Sequence, residues 1–489
     1  MNKRHFHTPL SLAGEGGRRL GEGRHLRERA AFAALLCAAL TGCSLMPDYL
    51  RPEPPVAASW PKPVQNEGGR ELAALGWRDY FTEPRLQGLI AAALEHNRDL
   101  RIAVARVEEA GALYGISRAD RLPNVNAVAS GSSAHTPADL SMTGRETVSR
   151  RYDAGVSLLS FELDFWGRVK SLSEAARSNY LATEEAGRLV RLSLISDVAN
   201  AYFTLLEMEE RVQVARQTLS SREETRMMIG KRREVGLSGD LDFLQADAAT
   251  QLVRAELENL ERQRAAAENA LTLLVGKAPP SLPAGCSLAG QDLVADLVVG
   301  LPSEVLLRRP DVLAAENRLM AANANIGAAR AAFFPRITLT GIFGTASRAL
   351  SGLFEAGSDT WSFQPVLTLP LFNAGRLGSS LDLAEVRKVI AVAEYEKTIQ
   401  VAFREVADLL EARARLTRQL EAQQAAEKAQ AEALRLAQAR YQAGISSYLE
   451  VLDAERSLFA SRQARLQVRR AQLSVAAQWY KALGGGKAE

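Results

Sequence analysis

The chain is one structural unit written twice, so any fold assigned to one half must also serve the other. The run DLRIAVARVEEAGALYGISRADRLPNV from Asp99 aligns with DVLAAENRLMAANANIGAARAAFFPRI from Asp311 at an offset of 212 residues. That offset pairs Arg106 with Arg318, Gly115 with Gly327, Arg118 with Arg330 and Pro123 with Pro335. Further on the offset is 208. It pairs Trp166-Gly167-Arg168 with Ala374-Gly375-Arg376, Val235-Gly236-Leu237-Ser238 with Ala443-Gly444-Ile445-Ser446, and Gly276 with Gly484. The slip of four lies between the prolines and the Gly-Arg pairs, where a loop must differ in length. Each copy reads helix, strand, loop, strand, very long helix, glycine break, helix.

Residues 168–235 and 376–443 contain no proline and are rich in Ala, Leu, Glu, Arg and Gln, all strong helix formers. Each predicts a helix of about 68 residues, roughly 100 Å long at 1.5 Å per residue. The stretches 240–275 and 98–121 predict about 54 Å and 36 Å, which end to end nearly match one long helix. Residues 447–482 and 310–333 give similar lengths in the second copy. Matching lengths point to a cylindrical wall of parallel and antiparallel helices, not to a free coiled-coil rod.

The strands constrain the rest. Ile337, Leu339 and Phe343 share one face at period two, as do Trp361, Phe363, Leu367, Leu369 and Leu371. Phe161, Leu163 and Phe165 alternate with Ser160, Glu162 and Asp164. There the phase slips, from even positions up to Leu158 to odd ones after it, which predicts a bulge near Leu158. The four strands are expected at about 124–137, 150–166, 336–346 and 361–372. No stretch of eighteen apolar residues is evident, so a closed β-barrel is the expected way across a membrane. Four strands are too few for such a barrel, which needs at least about eight. Several copies must then contribute to one barrel.

The N-terminus reads as an export signal. Arg24, Arg27 and Arg29 precede the apolar run Ala30–Leu40, and Leu40-Thr41-Gly42-Cys43 follows it as a lipobox. Residues 1–42 are therefore expected to be removed and Cys43 to carry a covalent lipid. Residues 1–23 are unusual for a signal and read as upstream sequence from a mis-set start. Ser44 after the cysteine leans toward the outer membrane.

Composition supports a non-catalytic reading. The 489 residues carry a net charge of +3, and the first 42 supply seven Lys/Arg and three Asp/Glu, leaving a body near −1. A near-neutral body gives no ground for nucleic-acid binding. Cys37, Cys43 and Cys286 form no CxxC pair, and His96 and His135 stand alone, so neither a disulfide framework nor a metal site is expected. No nucleophile elbow, P-loop, zinc motif or dinucleotide turn is present. No enzyme and no cofactor beyond the lipid are expected.

Several segments in order resemble the hallmarks of outer-membrane efflux factors. They are LPSEVLLRRPDV (Leu301–Val312), FWGR (Phe165–Arg168), LPLFNAGR (Leu369–Arg376) and YKALGGG (Tyr480–Gly486). The match covers nearly all of 44–486 and is most similar to the lipidated OprM-like or NodT-type branch of the TolC-like family, which serves resistance–nodulation–division pumps. The resemblance implies a mainly α fold with a β-barrel. A homotrimer would complete twelve strands and a periplasmic helical tunnel. It implies an inner-membrane pump and a periplasmic adaptor as partners, outer-membrane lipid around the barrel, and export of small molecules. Peptide or protein secretion and heavy-metal efflux remain as alternatives. The domains expected are a segment at 43–95, repeats at 96–276 and 304–486, and a linker at 277–303. The first segment and the linker would form an equatorial band, with outward loops near 131–151 and 345–360.

The resemblance also implies a periplasmic gate where the helices reverse, at Gly236 and Gly444. Positions matching Leu449 and Asp453 narrow the mouth in the family, and related members use an acid at Glu450. Tyr441, Asp242 and Arg456 match the surrounding polar links, including a Tyr441–Asp242 contact. Ser447-x-x-Glu450 also reads as a capping box, a routine helix start. Glu450 and Asp453 are three apart and can face one side of a helix.

Overall fold

The computed structural model describes residues 44–60, 70–71, 75–277, 285–291, 297–298 and 306–485. Residues 1–42, read above as a signal, Cys43 and most of 277–303 lie outside the described residues. The chain divides into two compact units.

The first unit takes in 113–177 and 321–388 together with the N-terminal residues to Tyr49. Its centre is a four-stranded antiparallel sheet in the order β2-β3-β5-β6. The strands are β2 (Val125–Thr136), β3 (Thr147–Leu163), β5 (Arg336–Ser347) and β6 (Asp359–Thr368). Register shows how the sequence makes two unlike faces. Val125, Leu158, Gly341 and Phe363 lie in one row across the sheet, and Ala127, Val156, Phe343 and Trp361 in the next. The opposite face carries Asn126, Ser157, Ile342 and Ser362 in one row. One face is thus apolar and the other mainly polar, as for strands between lipid and an aqueous lumen. The phase slip is real: pairing of β3 with β5 jumps between Leu158 and Phe161 while β5 advances from Gly341 to Leu339. One extra residue keeps Phe161 and Leu163 on the apolar face with Val156 and Leu158. It holds Ser160 at φ +51, with its N–H donating to Thr340 Oγ1 at 3.3 Å.

Two strand ends differ from expectation. β3 stops at Leu163, because the Asp164 carboxylate accepts from the Val169 and Lys170 amides at 3.1 and 2.7 Å and starts the next helix. Phe165 and Trp166 therefore leave the ladder, and Trp166 Nε1 donates to the Pro335 carbonyl at 2.9 Å. β6 stops at Thr368, before Pro370, so Leu369 and Leu371 are not strand residues. At the base of the sheet Glu162 is gripped by Arg168 at 2.8 and 2.7 Å and by Arg336 at 2.6 Å.

The second unit takes in 50–112, 178–320 and 389–489. A two-residue parallel ladder joins β1 (Arg70–Glu71) to β4 (Leu297–Val298). The short helices α1 (Trp77–Tyr80) and α2 (Pro84–His96) pack Trp77, Tyr80, Phe81 and Ile90 into its core. Four helices that cross the unit boundary also contribute: α3 (Arg98–Ala119), α4 (Arg168–Glu234), α6 (Pro310–Ala331) and α7 (Arg376–Gln442). So do α5 (Asp240–Val275) and α8 (Tyr448–Ala482), which lie wholly within this unit. α4 and α7 are each 67 residues, one short of expectation. α4 and α5 form one hairpin, and α7 and α8 the other. One correction applies here: α4 does contain an eighteen-residue window apolar enough to count as a candidate span, and half of that window is buried.

Candidate functional site

The two helix reversals are built alike. Gly236 and Gly444 both sit at φ +73, with open space where a Cβ would be. Gly236 N–H donates to the Arg233 carbonyl at 3.0 Å and Leu237 N–H to Arg232 at 2.7 Å. Gly444 and Ile445 repeat the pattern onto Tyr441 and Arg440 at 3.0 and 2.9 Å. This is a Schellman ending, and its left-handed residue is the one place where glycine is needed. Apolar tips follow: Val235, Leu237, Leu241 and Ile445 are all exposed.

The second reversal leads into α8 and the residues singled out for a gate. Leu449, Asp453 and Arg456 fall at helical spacing on one exposed face. Asp453 pairs with Arg456 at 2.7 Å. Glu450 lies 3.7 Å from Arg440 across the reversal, with both side chains at least half exposed. The expected capping box is not formed: Ser447 is the N-cap, but its side chain makes no capping hydrogen bond. The Tyr441–Asp242 link is also not formed among the described residues. Asp242 instead accepts from Ser238 Oγ at 3.0 Å. Tyr441 packs on Tyr448 at 5.5 Å between ring centroids, with the Arg232 guanidinium 5.5 Å from its ring.

Sequence reasoning missed the buried side of the same helix. Tyr448, Val451, Glu455 and Leu458 form the face turned inward, and Ile229, Ala246 and Ala437 join Tyr448 and Val451 in one apolar cluster. Burial lifts the Tyr448 phenol far above its usual range. Glu455 is the charged member of this stripe, and that conflict with helical periodicity was the available signal.

The LLRRPDV run was noted as a hallmark without a role. Arg309 is buried and donates to both Asp311 carboxylate oxygens at 3.0 and 2.7 Å, to Glu405 at 2.7 Å and to the Ala482 carbonyl at 2.9 Å. It ties the start of α6 to α7 and to the end of α8.

A sheet with one lipid-compatible face and two hairpins that each carry one helix of roughly 100 Å are the parts of a membrane duct. The chain belongs to the outer membrane efflux protein family, whose profile matches residues 89–277 and 301–485. The double match follows the internal repeat. The outer membrane protein OprJ of Pseudomonas aeruginosa is 45% identical over 458 residues, 93% of this chain and 95% of its own length. The solvent efflux pump outer membrane protein SrpC of Pseudomonas putida is 46% identical over 461 residues, 93% and 97% of the two chains. Among solved structures, the open state of the Neisseria gonorrhoeae MtrE outer membrane channel matches with a TM-score of 0.83 and 42% identity, over 91% of this chain and 98% of that one. The protein is an outer-membrane efflux channel that extends into the periplasm, and it is not an enzyme.

Proposed function

We propose that three copies of this chain form the exit duct of a tripartite pump that exports small amphiphilic molecules, antibiotics and solvents among them. The observation that carries the trimer is an asymmetry between the repeats. In the second copy α6 is buried, and Ala321 and Ala324 pack on Ala175 near the start of α4. In the first copy α3 buries no residue and exposes Ile102, Val104, Leu113 and Ile116. The start of α7 likewise exposes Leu383, Val386 and Ile390, the repeat mates of buried Ala175, Ser178 and Ala182. The uncovered faces are the repeat mates of two faces that already fit each other. α3 of one copy therefore packs on α7 of the next, and β2 and β6, the open sheet edges, pair between copies. Three chains of four strands give a twelve-stranded barrel. Cysteines placed at Ala112 and Leu383, the mates of Ala324 and Ala175, should crosslink between subunits into a covalent trimer. Crosslinking within a monomer, or none in assembled channels, would count against it.

The partners are a periplasmic adaptor and an inner-membrane resistance–nodulation–division pump. The exposed apolar tips at Val235, Leu237, Leu241 and Ile445 suit docking of the adaptor. Cys43 carries the lipid anchor. Leu449, Glu450, Asp453, Arg456, Tyr441 and Asp242 surround the periplasmic mouth. The high similarity to a solvent-pump component supports small-molecule cargo. Deletion of the gene should sensitise cells to antibiotics, dyes and solvents. Sensitivity to metal ions alone would redirect the reading to a metal duct.

A further inference from the structure

The two helical hairpins are zipped together along α4 and α8, and three polar rungs cross the seam. Glu207, 3% exposed, accepts from Arg470 Nε at 2.9 Å and from Arg211 Nη1 at 3.3 Å. Arg211 Nε also donates to Gln463 Oε1 at 2.5 Å. The third rung lies nearest the reversals and is different. Arg222 and Glu455 are 6% and 7% exposed, and Arg222 Nε stands 3.6 Å from Glu455 Oε2. Neither of those atoms has a hydrogen-bond partner. Arg222 Nη1 turns instead to the Ala249 carbonyl at 2.7 Å.

The internal repeat shows that crossing the seam is a choice. The mate of Glu455 is Asp247, which lies 2.6 Å from Arg226 inside its own hairpin. Only the second copy sends this acid to the other hairpin. A buried ion pair without hydrogen bonds does not recover its desolvation, whereas the fully bonded rungs do so far better. Among the polar rungs the weakest is therefore the one at the mouth end, where the apolar cluster of Ile229, Ala246, Ala437, Tyr448 and Val451 also joins the hairpins.

We propose that the Arg222–Glu455 rung is a proton-linked release point. The hairpins part there, pivoting on the bonded rungs at Glu207 and Arg211, when Glu455 is ionised, and stay together when it is protonated. This rests on the reversals being the periplasmic mouth. With the hairpins joined, burial lifts Glu455 above the usual carboxylate range, and the Arg222 charge offsets this only in part. The same burial pulls Arg222 down, offset in part by Glu455 and Tyr448. Tyr448 faces the rung from the same helix as Glu455, while α5 presents the Thr250 hydroxyl, the Ala249 carbonyl and Glu256, which lines the same cavity as Arg222. With the hairpins parted, water restores Glu455 toward its ordinary value. The joined state thus holds the proton more tightly. Its advantage is complete in acid and is lost as pH rises through the joined-state pKa.

The test is conductance of full-length channels in planar bilayers between pH 5 and pH 8. Wild type should close as pH falls, with the open-to-closed ratio changing about tenfold per subunit for each unit that joining raises the Glu455 pKa. Glu455→Gln should hold the low-conductance level throughout, and Arg222→Met should open more at neutral pH. A Glu455→Gln channel that keeps the wild-type profile would overturn the proposal, as would opening in acid. A second readout leaves the rung intact. Spin labels on cysteines at exposed Glu224 and Ala460 should move apart between pH 5 and pH 8, and an unchanged distance would also overturn it. If the labels respond to pH while conductance does not, the rung stands and the placement of the mouth fails.

Discussion

Asn97 and Arg309 occupy the same place in the two copies and hold it by different means. Asn97 Nδ2 donates to the Leu274 carbonyl at 2.8 Å, and its Oδ1 accepts from Leu100 N–H at 2.9 Å, so one amide closes the end of α5 and caps the start of α3. Arg309 reaches the Ala482 carbonyl, the repeat mate of Leu274, at 2.9 Å, and adds Asp311 and Glu405. The duplicated backbone sets the same demand twice, an orphan carbonyl at a helix end. A neutral side chain meets it in one copy and a charged network in the other. The charged version links three helices, and it therefore has more to lose.

Arg309→Ala should be the most damaging change at these joints. It leaves the Ala482 carbonyl and Glu405 without the Arg309 donor and Asp311 with only the Val312 N–H, a loss of about 3–5 kcal/mol for a broken buried pair. Glu405 is 39% exposed, so water screens part of that loss and the lower end is expected. Asn97→Ala removes a cap and one further hydrogen bond, about 1–2 kcal/mol. Urea unfolding of the two purified variants measures the difference. Equal losses would break the comparison.

The glycines that end α5 and α8 sharpen it. Gly276 and Gly484 sit at φ +82 and +85, so alanine at either meets left-handed strain of about 1–2 kcal/mol. Only Gly276 also has backbone in the way: a Cβ there would lie 2.4 Å from the His96 carbonyl oxygen, against 3.8 Å to the nearest atom at Gly484. Gly276→Ala should therefore lower the unfolding midpoint clearly more than Gly484→Ala. The same midpoint for both would mean that α2 yields freely, and that the first joint is the softer of the two.

Much of this was legible in the sequence because repeats expose backbone requirements. The glycine pairs at offset 208 marked every left-handed helix ending that the two copies share, and proline-free runs marked both long helices. The bulge was legible because a period of two cannot change phase without an inserted residue. Strand ends were not, because Asp164 and Pro370 act through hydrogen bonding and its loss, while side-chain alternation runs on past them. The capping box failed for a similar reason: the Ser447-x-x-Glu450 spacing permits a side-chain bond but does not require one, and Glu450 faces Arg440 instead. Glu455 was legible as a charge on a buried stripe, but its partner Arg222 was not, because a contact across 233 residues between two hairpins leaves no local pattern.

The smallest expected stability effect carries the largest expected functional one. Asp453 has Gln245 as its repeat mate, so the second hairpin places a charge where the first places a neutral amide. Its pair with Arg456 is 63% and 79% exposed, and such pairs add little to stability because water screens them. Asp453→Ala and Gln245→Ala should therefore unfold at nearly the wild-type urea concentration. Their conductances should differ. Asp453 and Arg456 lie on the exposed face of α8 beside Leu449, so in the proposed threefold assembly removing the acid frees Arg456 and loosens the polar contacts at the mouth. Asp453→Ala should raise conductance and admit large antibiotics such as vancomycin, while Gln245→Ala should do neither. If both variants conduct like wild type in normally assembled channels, the mouth is held by other residues. If both leak, the constriction belongs to the two hairpins equally, and the second copy has no special role in the gate.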